Sequence, residues 1–334
     1  MLKALKDEDV MTEYPIGVIN WTNEEGARFP ISMVSSGVWS GSIPIEKAHQ
    51  LQEVGNEKRT MKQELERIGY LGDSETSYKA MPIGAHFELH IEQGPRLEAQ
   101  QKKVGVVHGV QAYRWHTISV RGKDCHTGTT DFVNRSDALL TAAKMILHSH
   151  RLATKTGCLA STGILNVAPG STNTVPGTVN FSLDIRAGLD SQLLEFEDQL
   201  KVDFEKIARN KNVGDLNKGG TLGKGCSVEW TLDAPSKAVN FDKECIECVE
   251  ESAKGLFGEE RYDALTQKMI SGAGHDSVFT SKRVPTSMIF VPCRDGVSHN
   301  PAEYCAPEDC AIGAQVLMGA ILRYDQLRAQ RSNA

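Results

Sequence analysis

Short β-rich runs alternate with longer helical periods along the chain, and the organisation changes where the rhythm changes. Gly17-Val18-Ile19-Asn20-Trp21 is a near-continuous apolar run, which suits a strand covered on both faces and predicts one over residues 16–21. The polar cluster Thr22-Asn23-Glu24-Glu25-Gly26 ends it. Residues 45–71 contain helical stretches rich in Glu, Lys and Gln. Residues 85–91 predict a second strand, in which a period of two puts His86, Glu88 and His90 on one face. From about Tyr113 the pattern becomes strand (115–121), amphipathic helix (136–152), two strands (159–167 and 177–185), helix (189–209) and strand (227–232). That order, β-α-β-β-α-β, is the split arrangement of a ferredoxin-like α+β unit. After Asp233 an α/β pattern resumes, with a helix over 242–257, a strand over 287–291 and a last helix over 306–328.

The pattern predicts one α/β domain, residues 1–112 and 234–334, interrupted by an inserted α+β domain over 113–233. A length of 334 residues suits two such units better than one core. The net charge is −6 and basic residues cluster no further than pairs such as Lys102-Lys103, which leaves no footprint for nucleic acid or an anionic membrane. No apolar run approaches the ~20 residues that a membrane crossing takes. Eight scattered cysteines (125, 158, 226, 245, 248, 293, 305, 310) fit free thiols in a reducing, cytoplasmic compartment better than a disulfide framework. Cys245 and Cys248 form a single CxxC inside a helical period, where buried thiols are a simpler reading than a zinc site. The opening Met1-Leu2-Lys3-Ala4-Leu5-Lys6 matches neither a signal nor a transit peptide. It reads as the end of a helix, as though the first elements of a doubly wound sheet lay upstream.

Three polar clusters fall at or just past the C-terminal ends of predicted strands, where open α/β sheets place their sites. They are Asn23-Glu24-Glu25-Gly26, His90 with Glu92-Gln93-Gly94, and Gly296-Val297-Ser298-His299-Asn300-Pro301. Imidazole and carboxylate oxygen together are the ligand set of a catalytic zinc site, and adjacent carboxylates could divide metal binding from proton transfer. Each cluster also has a plainer reading. An acidic pair after a strand is commonly just solvated, a strand-end His is often a hydrogen-bonded structural residue, and Ser-His-Asn-Pro is also turn chemistry.

Four long motifs occur in order: Thr22-Asn23-Glu24-Glu25-Gly26-Ala27-Arg28-Phe29, Glu88-Leu89-His90-Ile91-Glu92-Gln93-Gly94-Pro95, His126-Thr127-Gly128-Thr129-Thr130 and Ser298-His299-Asn300-Pro301. Together they resemble the allantoate amidohydrolase, N-carbamoyl-L-amino acid hydrolase and β-ureidopropionase (β-alanine synthase) family. That family is a branch of the aminoacylase/carboxypeptidase-like metallopeptidase superfamily. The similarity runs from about Tyr14 to the last helix. It implies a zinc-peptidase-like α/β/α catalytic domain with two divalent metal ions, zinc first and manganese or nickel as alternatives. It also implies that the inserted domain is a lid and dimerisation domain, and that the protein is a homodimer. The implied reaction is hydrolysis of the carbamoyl C–N bond of a small ureido acid, N-carbamoyl-β-alanine first, to the amino acid, carbon dioxide and ammonia.

Carried over residue by residue, the resemblance makes Glu24 the general base. Glu25 and His299 would hold one metal and His90 the other, while His275 would hold or polarise the carbamoyl oxygen. His126, Asn173 and Arg186 would grip the substrate carboxylate, with Gln93 beside them. On the residues alone, Arg186 could instead pair with Asp184, and Asn173 could serve its Pro/Gly-rich turn. The family's opening motif, a strand ending in a metal-binding His followed by a bridging Asp, has no counterpart in these 334 residues. Two of five metal ligands are therefore unassigned, which predicts weak metal binding. Two further readings stand beside the first: a catalytically silent, dimerising homologue, and a related amidase for allantoate or N-acyl amino acids.

Overall fold

The computed structural model describes residues 2–332 except 56 and 57. In chain order the elements open with helices α1 (Leu2–Asp7), α2 (Val34–Trp39), α3 (Ile45–His49) and α4 (Met61–Arg67). Strand β1 (His86–Ile91), helix α5 (Arg96–Ala99) and strand β2 (Val104–Val110) follow. Next come β3 (Ala112–Arg121), β4 (Cys125–His126), α6 (Ala138–Thr156), β5 (Leu159–Ser161), β6 (Leu165–Ala168), β7 (Thr174–Val175), β8 (Thr178–Ala187), α7 (Asp190–Ala208) and β9 (Ser227–Ser236). The chain closes with β10 (Val239–Asn240), α8 (Lys243–Phe257), α9 (Glu259–Leu265), β11 (Thr266–Ser271), α10 (Ser277–Thr280), β12 (Thr286–Val291) and α11 (Pro307–Ser332). These elements form two compact units, Met1–Val110 with Val239–Ala334, and Gln111–Ala238.

The first unit is built on a mixed sheet of order β1-β12-β2-β11, with β10 alongside β2. Strand β12 is buried along its whole length, as its unbroken apolar character requires of a central strand. Strand β1 shows why the unit has three layers. Its odd-numbered residues face α11: the Phe87 ring lies 5.8 Å from Tyr324, and a Cβ on Gly313 would stand 2.7 Å from Leu89. Its even-numbered residues face the other way, where Glu88 accepts a hydrogen bond from the Ser277 amide at the start of α10 (2.9 Å). Helices α8 and α11 pack together on the first face, joined by the Ser252 hydroxyl donating to the Val316 carbonyl (2.8 Å).

The strand expected over residues 16–21 does not form. Among the described residues no strand pairs with this run, and Val18 and Ile19 are 72% and 43% exposed. Apolar character alone does not make a strand when no neighbour shares its backbone hydrogen bonds. The preceding segment is fixed instead by the amides of Glu13 and Tyr14, each donating to the Asp325 carboxylate at 2.9 Å. Of the helical stretches expected over 45–71, α3 and α4 form, and residues 56 and 57 lie outside those described.

In the second unit the sheet order is β5-β8-β3-β9, all antiparallel, with β6 also pairing β8. This is the ferredoxin-like arrangement, and helices α6 and α7 bury Met145, Leu193, Leu200 and Phe204 in a core with Phe181, Leu183 and Ile185. The single strand expected over 159–167 is two short ones, β5 and β6, both on the same edge of β8.

The segment before β1 is held by one carboxylate. Glu64 on α4 is 3% exposed and meets Arg28 (2.8 Å), Arg59 (3.1 Å) and Arg67 (2.8 Å). Hydrogen bonding by Arg67, helped by Arg59 and Arg28, pulls its carboxyl from the ordinary 4.5 down to about 2. A depressed carboxyl stabilises the fold above its unfolded value and loses that contribution as pH falls through the folded value. The stability advantage of the wild type over Glu64→Gln, measured by urea unfolding, is therefore expected to be full above pH 4.5 and to shrink towards pH 2. Gly313→Val, whose side chain must displace Leu89 and Val291 from 2.7 Å, is expected to lower unfolding stability by about 1–3 kcal/mol in the same assay.

Candidate metal centre

The turn after residue 21 is fixed by Asn23. Its side-chain amide donates to the carbonyls of Phe29 and Ile31 (3.0 Å each), and its oxygen accepts from the Phe29 amide (3.1 Å). The Met33 amide donates to the Glu24 carbonyl at 2.7 Å and closes the turn. Adjacent carboxylates then diverge. Glu24 lies 3.9 Å from His90 Nε2 and 3.8 Å from His275 Nδ1. Glu25 meets His299 Nε2 at 2.7 Å, accepts from Gln93 at 2.7 Å and lies 3.7 Å from His90 Nε2. Asn23, Gln93 and His299 all have left-handed backbone (φ 59°, 57° and 55°), so each of the three converging loops carries a strained residue at the cluster.

Hydrogen bonds set the imidazole tautomers. His90 Nδ1 sits 2.8 Å from the Ile91 carbonyl and so carries the proton, which leaves the Nε2 lone pair facing Glu24 and Glu25. The Ser271 hydroxyl donates to the Ala273 carbonyl (2.9 Å), so at 3.0 Å from His275 it accepts from Nε2–H. His275 is 1% exposed, and its Nδ1 is buried without a hydrogen-bond partner. Glu24, His90 and His275 bring one ligand atom each within 4.8 Å of the others. An orphaned buried lone pair beside carboxylates is a fit for a cation, and this nitrogen–oxygen set suits zinc, manganese or nickel.

A second group joins Glu24 to Glu88 and Asp276, again within 4.8 Å. Burial, with the Glu88 and Glu24 carboxylates nearby, pushes Asp276 up to about 8 although the Ser36 hydroxyl holds its Oδ1. Glu88 accepts from the Ser277 amide (2.9 Å) and hydroxyl (2.6 Å). The sequence reading assigned neither Glu88 nor Asp276 a role. The available signal was that Glu88 shares the His90 face of β1 and Asp276 follows His275. Glu92, by contrast, serves the backbone, accepting from the Arg96 and Leu97 amides at the start of α5 (3.1 and 2.8 Å). His86 is structural: burial lowers its pKa, and it is held between Trp21 Nε1 (3.3 Å) and Thr280 (3.2 Å). Cys245 and Cys248 are buried on α8, where burial raises both thiols, Cys248 to about 11.

Of the nine expected site residues, Glu24, Glu25, His90, Gln93, His275 and His299 meet in the first unit. Gln93 binds the Glu25 carboxylate directly. His126, Asn173 and Arg186 lie in the second unit, and the single grip expected of them is split. His126 pairs with Thr174 between β4 and β7, beside Asn173, whose carbonyl accepts from the Thr127 amide (2.9 Å). Arg186 is opposite Tyr113, near the other end of β8, bound to Asp184 (2.6 Å) and over the Tyr113 ring (5.6 Å). Strand β8 begins at Thr178, so Arg186 is about 26 Å along it from the end nearest His126. A fully extended strand cannot bring its two ends to one ligand.

Comparison with known proteins agrees with this geometry. Residues 1–323 match the family described as peptidase family M20/M25/M40. An N-carbamoyl-L-amino-acid amidohydrolase of Rhizobium meliloti is 36% identical over 323 residues, covering 96% of this chain and 72% of that protein. A ureidoglycolate hydrolase of Oryza sativa subsp. japonica is 32% identical, covering 96% of this chain and 64% of its own. The crystal structure of a hydantoinase/carbamoylase family amidase from Burkholderia multivorans superposes with a TM-score of 0.84 at 37% identity, over 96% of this chain and 73% of that one. With its α/β architecture and its carboxylate–imidazole cluster at the strand ends, the chain belongs to the M20/M25/M40 peptidase family, among the carbamoylase-type amidohydrolases, and is by family a hydrolase of C–N bonds.

Proposed function

We propose that the chain is a metal-dependent amidohydrolase that cleaves the carbamoyl C–N bond of N-carbamoyl amino acids, yielding the amino acid, carbon dioxide and ammonia. The observation that carries this reading is the divergence of Glu24 and Glu25 from one turn, the first towards His90 and His275, the second towards His299. Glu25 and His299 would hold one metal ion and His90 the other. When bound, a divalent ion there would supply Lewis acidity for the carbamoyl oxygen and for water. Glu24, only partly exposed and beyond hydrogen-bond length from its imidazoles, keeps lone pairs free to take a proton from the attacking water. It returns that proton to the leaving nitrogen as the C–N bond breaks. His275, whose Nδ1 lies 3.8 Å from Glu24, is the imidazole we assign to hold or polarise the carbamoyl oxygen.

Arg186, held through Nε and Nη2 by Asp184 and lying over Tyr113, is the guanidinium we assign to the substrate carboxylate. Because His126 and Asn173 lie at the opposite end of β8, we assign them to a second copy's substrate in a homodimer. The edge formed by β5 and β6 supports such pairing, since Leu159, Ile164 and Leu165 stand exposed along an edge that no further strand pairs among the described residues. The names of the relatives weigh towards N-carbamoyl-L-α-amino acids over N-carbamoyl-β-alanine.

An ammonia-release assay on both substrates, with allantoate and ureidoglycolate alongside, tests the substrate class. Stoichiometric metal with ammonia from at least one N-carbamoyl amino acid is expected. Sub-stoichiometric metal after dialysis and no ammonia would instead make this a silent, dimerising protein. Glu24→Gln is expected to keep its metal while kcat falls by about 10²–10⁴. Retained turnover would remove Glu24 from the base role. Arg186→Ala is expected to raise KM by about ten- to a hundredfold, the worth of a charged hydrogen bond. An unchanged KM would remove Arg186 from the substrate grip.

A further inference from the structure

The last loop before α11 carries a pair of thiols that the proposed reaction does not use. Cys305 ends the loop that bears His299, and Cys310 lies in the first turn of α11. Their sulfur atoms are 3.3 Å apart, with the Cys310 thiol donating to Cys305 Sγ and the Cys305 thiol donating to the Ala306 carbonyl (3.7 Å). Sulfurs at van der Waals distance need to close by little more than an ångström to reach the ~2.05 Å of a disulfide. The two sites differ in access. Cys310 is exposed, whereas Cys305 is partly buried and its thiol is pushed up to about 12 by burial and by its neighbour. An oxidant in solution therefore meets Cys310 first.

The other cysteines offer no comparable pair. Cys245 and Cys248 are buried on α8, and all eight thiols are free. We propose that Cys305 and Cys310 form a reversible disulfide that staples the end of the His299 loop to the first turn of α11. With oxidised glutathione as the oxidant, the Cys310 thiolate attacks one glutathione sulfur, breaking its S–S bond and releasing reduced glutathione. The Cys305 thiol then gives up its proton and attacks the Cys310 sulfur of the mixed disulfide, releasing the second glutathione. Two thiols are oxidised and one disulfide reduced, so atoms and electrons balance.

Peptide mapping tests this without reference to activity. Trypsin cuts after Arg294 and Arg323, so both cysteines fall in one peptide that contains no other cysteine. After incubation of the native chain with oxidised glutathione, that peptide is expected to lose two hydrogen atoms in mass, to resist alkylation, and to recover both thiols with dithiothreitol. Cys305→Ser is expected to trap glutathione on Cys310, and Cys310→Ser to leave Cys305 free. Two alkylatable thiols in the wild-type peptide, or stable glutathione on wild-type Cys310, would overturn the proposal. The wild-type map decides the matter even where a variant fails to fold.

Discussion

Like charge gathered at one end of a sheet is the constraint around which the first unit is arranged. Glu24, Glu88 and Asp276 come within 4.8 Å of one another beside β1, and Glu25 turns the other way towards His299. Two carboxylates 4 Å apart repel by about 4 kcal/mol at the effective dielectric of a protein surface, so each needs an answer. Asp276 is answered by a proton, since burial raises it to about 8. The Ser277 amide and hydroxyl answer Glu88, and Gln93 with His299 answers Glu25. Glu24 has only imidazoles just beyond hydrogen-bond length, which leaves it the group best placed to exchange a proton.

Such a cluster holds together because the scaffold beneath it is over-determined. Alternation along β1 commits Phe87 and Leu89 to the core under α11, and by the same geometry it commits Glu88 and His90 to the other face. A slip of one residue would bury the acids against α11 and expose the apolar residues, so packing on one face fixes chemistry on the other. Parallel pairing with β12 sets His90 level with Phe290, and the rings of His90 and His275 lie 6.4 and 5.5 Å from it. Positive backbone angles at Asn23, Gln93 and His299 are strains that such a frame can sustain.

The ferredoxin-like unit was legible because its elements are long and periodic: helices α6 and α7 run 19 residues each, and β3 and β8 run ten. The strands of the first unit were harder to read. Strand β2 contains Gly105 and Gly109, which lower strand propensity; yet a Cβ at residue 109 would lie 2.0 Å from the Val239 carbonyl, so close strand packing requires the glycine. The run at 16–21 misled for the opposite reason, because apolar composition reports a tendency to be buried but not the presence of a partner strand. In the candidate site, residues within recognisable motifs could be named from the sequence, and the upward shift of Asp276 could not. It arises from burial and from neighbours 188 and 252 positions away in the chain, Glu88 and Glu24, which no local pattern encodes.

The second unit shows most plainly what a sequence motif leaves out. His126, Asn173 and Arg186 were grouped by likeness of role, and a list of roles carries no distances. A ten-residue strand does, because its length is fixed by backbone geometry whatever its side chains are. With Arg186 near one end of β8 and His126 beyond the other, one copy cannot close both ends on one small carboxylate. If all three residues grip substrate, Arg186 and the His126–Asn173 pair must serve different copies' sites, and the exposed β5–β6 edge of the same sheet is where we propose that a second copy joins. The dimer is then part of the proposed chemistry rather than an addition to it, since strand length alone forbids the monomer from assembling the grip.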